Sequence, residues 1–420
     1  MNPHDTLPSR RRILGTLGGT LGLGAGLAIL GLPRIAYAAA PTDNRLVVIL
    51  LRGALDGLAA VPPYGDPRYA ERRNGLALPM PGQPDGILPL DHTFGLNAAL
   101  AAIQPMWGAG ELLIVPATAG GYHTRSHFDA QDLLEMGLVE RHGAPTGWLN
   151  RALVDIQGND RNRRLGLAVG PSIPLMLRGG VAVASWEPPN LKAADPTLLA
   201  SLTQMYAGDK LFGPALADGV KAQSLDDEVL GANSMGSDGK PRFAKAGGYG
   251  PGAFRPMAEA AGGLLAAAGG PRVAVIDMGG WDTHVGQGTV KGRLADNLRG
   301  LGDGLAQLKT SLGPAWSRTV VLVMTEFGRT VAPNGTNGTD HGTASVALLL
   351  GGAVKGGRIA GDWPGLGQLE ENRDLRMATD LRAVAKGVLR DHMGVAPAHL
   401  DSAVFPDSAG VRPMGGLVRV

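Results

Sequence analysis

The sequence predicts an α/β fold whose strands run parallel and are buried on both faces, and three observations carry that expectation. Arg45–Leu51 (RLVVILL), Arg272–Asp277 (RVAVID) and Thr319–Met324 (TVVLVM) are near-continuous aliphatic runs, the pattern of strands covered on both sides. Helical spacing separates them, as in the long amphipathic stretch Leu294–Leu312. Sixty-five glycines and an aromatic content of 5% suit a loop-rich α/β enzyme better than a β-sandwich. At 420 residues the chain has length for one large or two medium domains.

The first 40 residues read as an address label rather than structure. Ser9-Arg10-Arg11-Arg12-Ile13-Leu14 fits the twin-arginine export pattern, a glycine-broken apolar stretch runs to Leu32, and Ala36-Tyr37-Ala38 supplies an A-x-A cleavage site. The expected product is periplasmic or secreted, with the twin-arginine translocase as a transient partner and no stable membrane anchor after cleavage. Cysteine is absent, so neither a disulfide nor a thiol nucleophile or ligand is available. The formal charge of +2 owes its sign to the leader; without residues 1–38 the chain holds 35 basic and 36 acidic residues. Such a balance gives no electrostatic ground for binding nucleic acid.

Residues 41–420 read as the folded part. After Arg45–Leu51, the segment Arg52-Gly53-Ala54-Leu55-Asp56-Gly57 turns sharply and delivers Arg52 and Asp56 to the strand's carboxyl end. Residues 62–95, rich in Pro and Gly, read as irregular surface loop; Leu96–Trp107 has helical spacing and Glu111–Val115 reads as a strand. Next comes Gly120-Gly121-Tyr122-His123-Thr124-Arg125-Ser126-His127, which feeds a helix over Phe128–Met136. Ser126 sits there at an N-cap position with Asp129 three residues on. A helix N-terminus also favours anions, and two hydroxyls, two histidines and Arg125 exceed what capping needs. Ser126 or Thr124 is therefore a candidate nucleophile or anion contact.

Gly147–Ile156 reads as helix, Arg164–Val169 and Val181–Ser185 as strands, and the stretch around 188–250 as a cap or lid. Helix resumes at Phe254–Ala268. Arg272–Asp277 ends in Met278-Gly279-Gly280-Trp281-Asp282-Thr283-His284, where Asp282 and His284, two apart on extended backbone, can face one way and share a metal. Thr319–Met324 is followed by Thr325, Glu326 and Arg329, then by a Gly- and Asn-rich loop carrying Asp340-His341, then by the apolar run Val346–Leu350. Leu381–His392 reads as the closing helix, with His392 and His399 at the surface. Ligands of open α/β sheets bind beyond the carboxyl ends of the strands. Carboxylates and imidazoles gathered there suit Zn²⁺ or Mn²⁺, or Mg²⁺ or Ca²⁺ in an oxygen-richer site, as one ion or two.

The pieces LRGALDGL, HTRSHFDAQDLLE, GGWDTH, TEFGRT and NGTDHG resemble, in order, the bacterial family labelled domain of unknown function 1501. The resemblance spans nearly everything from Arg45 onward, and that family is grouped with the alkaline phosphatase–sulfatase superfamily. It implies a three-layer sandwich, a central mostly parallel sheet with helices on both faces and metal at its carboxyl edge. It also implies that Asp56 is the early metal ligand, that Ser126 or Thr124 lies in the nucleophile region, and that Asp282, His284, Asp340 and His341 are later ligands. Three departures stand out. Thr325-Glu326-Phe327-Gly328 occupies the place where the superfamily commonly has Asp-His-Gly, the middle pair is Asp-x-His, and no Cys or Ser lies in the C/S-x-P-x-R context of sulfatases. His123, His127 or Glu326 would make up missing ligands. The expected function is hydrolysis of a small-molecule or polymer phosphate or sulfate ester, with Arg125 or Arg329 holding the non-bridging oxygens. The rival expectation is an envelope or surface protein that keeps the fold for binding alone.

Overall fold

The structure is a computed structural model that describes residues 42–141, 146–157, 164–187, 196–206 and 251–419, with positions 208, 209, 213, 216 and 217. The leader, the A-x-A site and most of the 188–250 stretch lie outside the described residues.

The three aliphatic runs form the centre of a nine-stranded sheet. β1 (Arg45–Leu51) is followed by short helices α1 (Gly57–Ala60) and α2 (Tyr69–Arg73), a two-residue hairpin β2–β3 (Leu88–Pro89, Gly95–Leu96), α3 (Gln104–Gly108) and β4 (Leu112–Ala119). Then come α4 (His127–Met136), α5 (Trp148–Gln157), β5 (Gly166–Val169), β6 (Ala184–Trp186), α6 (Pro196–Tyr206), α7 (Pro251–Ala266) and β7 (Val273–Met278). The chain continues through α8 (Arg293–Leu312), β8 (Thr319–Thr325), β9 (Ser345–Leu350), β10 (Arg358–Ile359), β11 (Thr379–Asp380) and α9 (Leu381–Asp391). Strand order is β10-β4-β9-β8-β1-β7-β5-β6, with β11 also pairing β4. All pairings in this sheet are parallel except those of β9 with β4 and β8, so the sheet is mixed and mostly parallel.

Alternation along β1 shows how the layers close. Leu46, Val48 and Leu50 enter a core with Leu133 and Leu134 of α4, Leu149 and Leu153 of α5, and Val384 and Leu389 of α9. Val47, Ile49 and Leu51 enter the opposite core with Phe254 and Met257 of α7 and Leu298, Leu301 and Leu305 of α8. Both faces are therefore dry, which is why these strands read as unbroken apolar runs.

Several elements differ from expectation for local reasons. Leu96–Trp107 divides into a 3₁₀ segment and α3, because Leu100 leaves helical geometry and Pro105 opens the second helix. β4 runs on past Pro116 to Ala119, with a bulge between Pro116 and Thr118 where Ala117 has φ 51°. The 62–95 segment is not mere surface: Tyr69, Arg73, Leu78 and Phe94 are all buried. His392 is buried too, 5% exposed, with Nε2 2.9 Å from the Arg45 carbonyl at the start of β1. Among the described residues no helix is long and apolar enough to cross a membrane.

Candidate metal centre

Parallel register brings three loops out side by side. Leu51 lies opposite Met278 on one side and Thr325 on the other, so the segments after β1, β7 and β8 leave the same edge. Gly53 makes their approach possible: it has φ +119°, and a Cβ there would fall 2.6 Å from the backbone nitrogen of Asp282. β9 enters the same edge from the opposite direction, and α4 begins beside it with His127.

His127 is fixed by a buried acid. Its Nδ1 lies 2.8 Å from Glu326 Oε1, which also accepts from Gly53 N at 2.8 Å and Gln131 Nε2 at 2.9 Å. Burial opposes the charge on Glu326, but the bonds from His127, Gln131 and Gly53 outweigh it and hold the carboxyl below its usual range. The bond to Glu326, against the opposing effect of burial, raises His127. A carboxylate only accepts, so Nδ1 carries the proton and Nε2 of the neutral ring is an acceptor. That Nε2 is buried, has no hydrogen-bond partner, and lies 3.6 Å from Asp282 Oδ2.

The other two imidazoles obey the same logic. His341 Nδ1 donates to the Arg125 carbonyl at 2.7 Å, and His284 Nδ1 to Asp340 Oδ1 at 3.0 Å. Their Nε2 atoms are 2.9 Å from one another, and they stand 3.5 Å (His341) and 3.1 Å (His284) from Asp282 Oδ1. Burial lowers the pKa of His341, and bonding from Asn334 lowers that of Asp340. His127, Asp282 and His341 offer ligand atoms within 4.8 Å of one another, a triad able to hold a metal ion. The His127 and His341 side chains are 22% and 24% exposed, whereas Asp282 and His284 are 43% and 40% exposed, so the cluster opens to solvent on one side.

Asp282 is held from beneath. Arg329 is buried and donates from NH1 to Asp282 Oδ1 at 2.6 Å and from Nε to Thr339 Oγ1 at 3.1 Å. Burial works against the Asp282 charge, but Arg329 outweighs it and lowers the carboxyl. Thr339 donates in turn to Gln287 Oε1 at 2.7 Å, and Gln287 Nε2 donates to Asp56 Oδ2 at 2.7 Å. Asp56 is 1% exposed; its Oδ1 caps α1 at Ala59 N, 3.1 Å away, and its Oδ2 pairs with Arg73 NH2 at 2.5 Å.

The expected site residues thus fall into groups. The structure gathers His127, Asp282, His284, Asp340 and His341 into one cluster at the carboxyl edge, with Asp340 touching it through His284. Asp56 sits at the same edge in its own ion pair, Glu326 lies behind His127, and Arg329 lies behind Asp282. Arg125 gives its guanidinium to Glu371 at 2.9 Å and Asp374 at 2.8 Å. Ser126 is the N-cap of α4, its Oγ 3.5 Å from Asp129 N, and Thr124 Oγ1 accepts from Ser126 N at 3.2 Å. Among the described residues neither hydroxyl bonds to the imidazole–carboxylate cluster. His123 is exposed and lines a polar cleft with Thr124, Arg125, Thr343 and Glu371. Sequence reasoning missed Arg73, Gln287, Thr339 and Gln131, whose partners come from other segments of the chain and which carry no local signal that marks them.

Residues 125–402 match the family described as "Protein of unknown function (DUF1501)". The chain belongs to that family. No curated protein matches it. Among solved structures, this member of the DUF1501 family is similar to Ps i-CgsB in complex with k-i-k-neocarrahexaose, at 12% identity and TM-score 0.40, covering 87% of this chain and 76% of that one. It is also similar to the phosphonate monoester hydrolase SpPMH from Silicibacter pomeroyi, at 11% identity and TM-score 0.36, covering 89% and 76%. A third similar structure is the C-terminal periplasmic domain of EcEptC from Escherichia coli in complex with Zn, at 9% identity and TM-score 0.32, covering 75% and 74%.

Proposed function

We propose that the protein is an exported, metal-dependent hydrolase of phosphate or sulfate esters, the chemistry of the superfamily its motifs resemble. The observation that carries this reading is His127 Nε2, a buried acceptor nitrogen without a partner that faces Asp282 and His341. A divalent cation fits that atom and its neighbours; Zn²⁺ or Mn²⁺ suits the donor set, with His127, Asp282 and His341 holding it. When bound, the ion supplies Lewis acidity toward an ester's phosphoryl or sulfuryl oxygens.

The protein's own contribution is placement. Glu326 keeps the proton of His127 on Nδ1, Arg329 holds one Asp282 oxygen, and the N-terminus of the ten-residue α4 adds positive potential beside the cluster. With Ser126 capping α4 and both Arg125 and Arg329 paired to carboxylates, water is favoured over Ser126 or Thr124 as the attacking group. Residues 41–420 form the catalytic domain in this reading, with the stretch around 188–250 as its cap, and the substrate is a small-molecule or polymer ester.

Elemental analysis of purified protein, followed by a screen of 4-nitrophenyl phosphate, sulfate and phosphonate esters with Zn²⁺, Mn²⁺, Mg²⁺ and Ca²⁺, tests the proposal. Stoichiometric metal with turnover is expected. Metal without turnover of any ester would favour the rival reading, an envelope or surface binding protein, and a metal-replete preparation that stays metal-free would defeat the hydrolase reading. Export by the twin-arginine route is tested separately. Replacing Arg10 and Arg11 by Lys should leave the precursor in the cytoplasm, and normal processing of that variant would overturn the assignment.

A further inference from the structure

We propose that His284 completes a single-ion, nitrogen-rich centre in which three imidazoles bind through Nε2 and Asp282 is the one carboxylate ligand, with Asp56, Glu326 and Asp340 outside the coordination shell. This rests on the metal-dependent reading above and specifies its ion.

The tautomers carry the argument. Each ring has its Nδ1 bound to a group that can only accept: the Glu326 carboxylate, the Arg125 carbonyl and the Asp340 carboxylate. In their neutral form all three rings therefore turn an unprotonated Nε2 toward Asp282. His284 and His341 bring these nitrogens to 2.9 Å of one another, where two lone pairs repel unless a proton or a metal ion is shared between them. Metal–ligand bonds of roughly 2.0–2.2 Å at angles between square and tetrahedral separate neighbouring ligand atoms by about 2.8–3.6 Å. The observed separations from Asp282 oxygens are 3.1, 3.5 and 3.6 Å for His284, His341 and His127. Each imidazole thus stands at a shared-ion distance from Asp282, and His284 and His341 stand at such a distance from one another.

The excluded carboxylates have other work. Glu326 Oε1 already accepts from Gly53, His127 and Gln131, and the residue is fully buried. Asp56 is neutralised by Arg73 and bonded to Gln287, which removes the acid that a second ion would need at this edge. Asp340 Oδ1 is bound to His284 Nδ1 and Asn334. Three imidazoles and one carboxylate select borderline ions such as Zn²⁺ or Co²⁺ over Mg²⁺ or Ca²⁺. Carboxylates that bond a ligating imidazole tune it from outside, and their loss typically weakens metal binding about 10–100-fold.

The test is titration of purified, metal-stripped protein with Co²⁺, read by visible absorption and by X-ray absorption at the cobalt edge, with no activity measurement involved. One Co²⁺ per chain, scattering from three imidazoles, displacement by Zn²⁺ and resistance to excess Mg²⁺ or Ca²⁺ are expected. His284→Ala should weaken Co²⁺ binding more than about 100-fold, whereas Glu326→Gln should keep one ion per chain and weaken it about 10–100-fold. Two ions per chain, fewer than three imidazoles around cobalt, or unchanged binding in His284→Ala would overturn the proposal. Absence of any Co²⁺ or Zn²⁺ binding would overturn it together with the metal-dependent reading. An ester screen without turnover leaves every one of these readouts standing, so the two failures are separable.

Discussion

Around Asp56 the protein closes an ion pair completely with Arg73; around Asp282 it pairs one oxygen with Arg329 and leaves the imidazole side open. The first centre is closed: Arg73 and Gln287 bond Asp56 Oδ2, Ala59 N bonds Oδ1, and Asp56 and Arg73 are 1% and 0% exposed. The second, joined to it through Thr339 and Arg329, faces solvent and points three acceptor nitrogens at one carboxylate. A closed ion pair holds loops together, because removing one partner strands a buried charge. An open cluster does little for the fold by itself, and in the reading proposed above it holds a cation. In that reading the two polar groups at one sheet edge divide between scaffold and chemistry.

The sharpest way to break that contrast is Asp56→Asn. Leaving Arg73 buried without its partner should cost about 3–5 kcal/mol in urea unfolding, while metal stoichiometry of the folded fraction stays the same. A variant that kept its stability and lost metal would reverse the two roles. Gly53→Ala tests the close approach of the loops. Its φ of +119° and the contact with Asp282 N should cost about 1–3 kcal/mol or more and loosen Asp282, seen as weaker metal binding alongside a lower Tm.

Acidity probes the open side in metal-free protein. The lowered Glu326 contributes stability that is present above the ordinary glutamate range and is lost as pH falls through its folded value. The raised His127 contributes stability that is full below the ordinary imidazole value and is lost as pH rises through its folded value. Thermal stability should therefore peak between the two, and Glu326→Gln should flatten both limbs; an unchanged profile would show the pair to be uncoupled. The smallest effect belongs to Ser126→Ala. Losing a cap bond of 3.5 Å should cost about 0.5–1 kcal/mol, and any ester turnover should persist. Abolished turnover in a folded variant would restore Ser126 as nucleophile.

Much of the carboxyl edge was legible because strands covered on both faces announce themselves and polar residues begin where they end. Asp282-x-His284 illustrates this: extended backbone puts alternate side chains on one side, and both do reach the cluster. What was not legible was which charge meets which. The ion pair of Asp56 was hidden because its opposing cation, Arg73, lies in a Pro- and Gly-rich segment with no periodic pattern, and Gln287 comes from a loop 231 positions away. Glu326 likewise shows its acidity in sequence but not its burial, which depends on β1 lying beside β8 and bringing Gly53 N over its carboxylate. Pairing across a sheet is a tertiary property. Hydrophobic period fixes the edge without fixing the partners.

The reversed direction of β9 has a further consequence for how this protein can vary. No crossover helix separates β8 from β9, so the segment 326–344 leaves and re-enters the sheet between neighbouring strands and supplies Glu326, Arg329, Asp340 and His341 on the way. Closing such a loop grows more expensive only slowly, by about 0.6 kcal/mol for each doubling of its length. Residues inserted between Ala332 and Gly338 would lengthen the mouth of the cluster without threading through the sheet, but would have to spare the bonds of Asn334 and Thr336 to the His284 carbonyl and of Asn334 to Asp340.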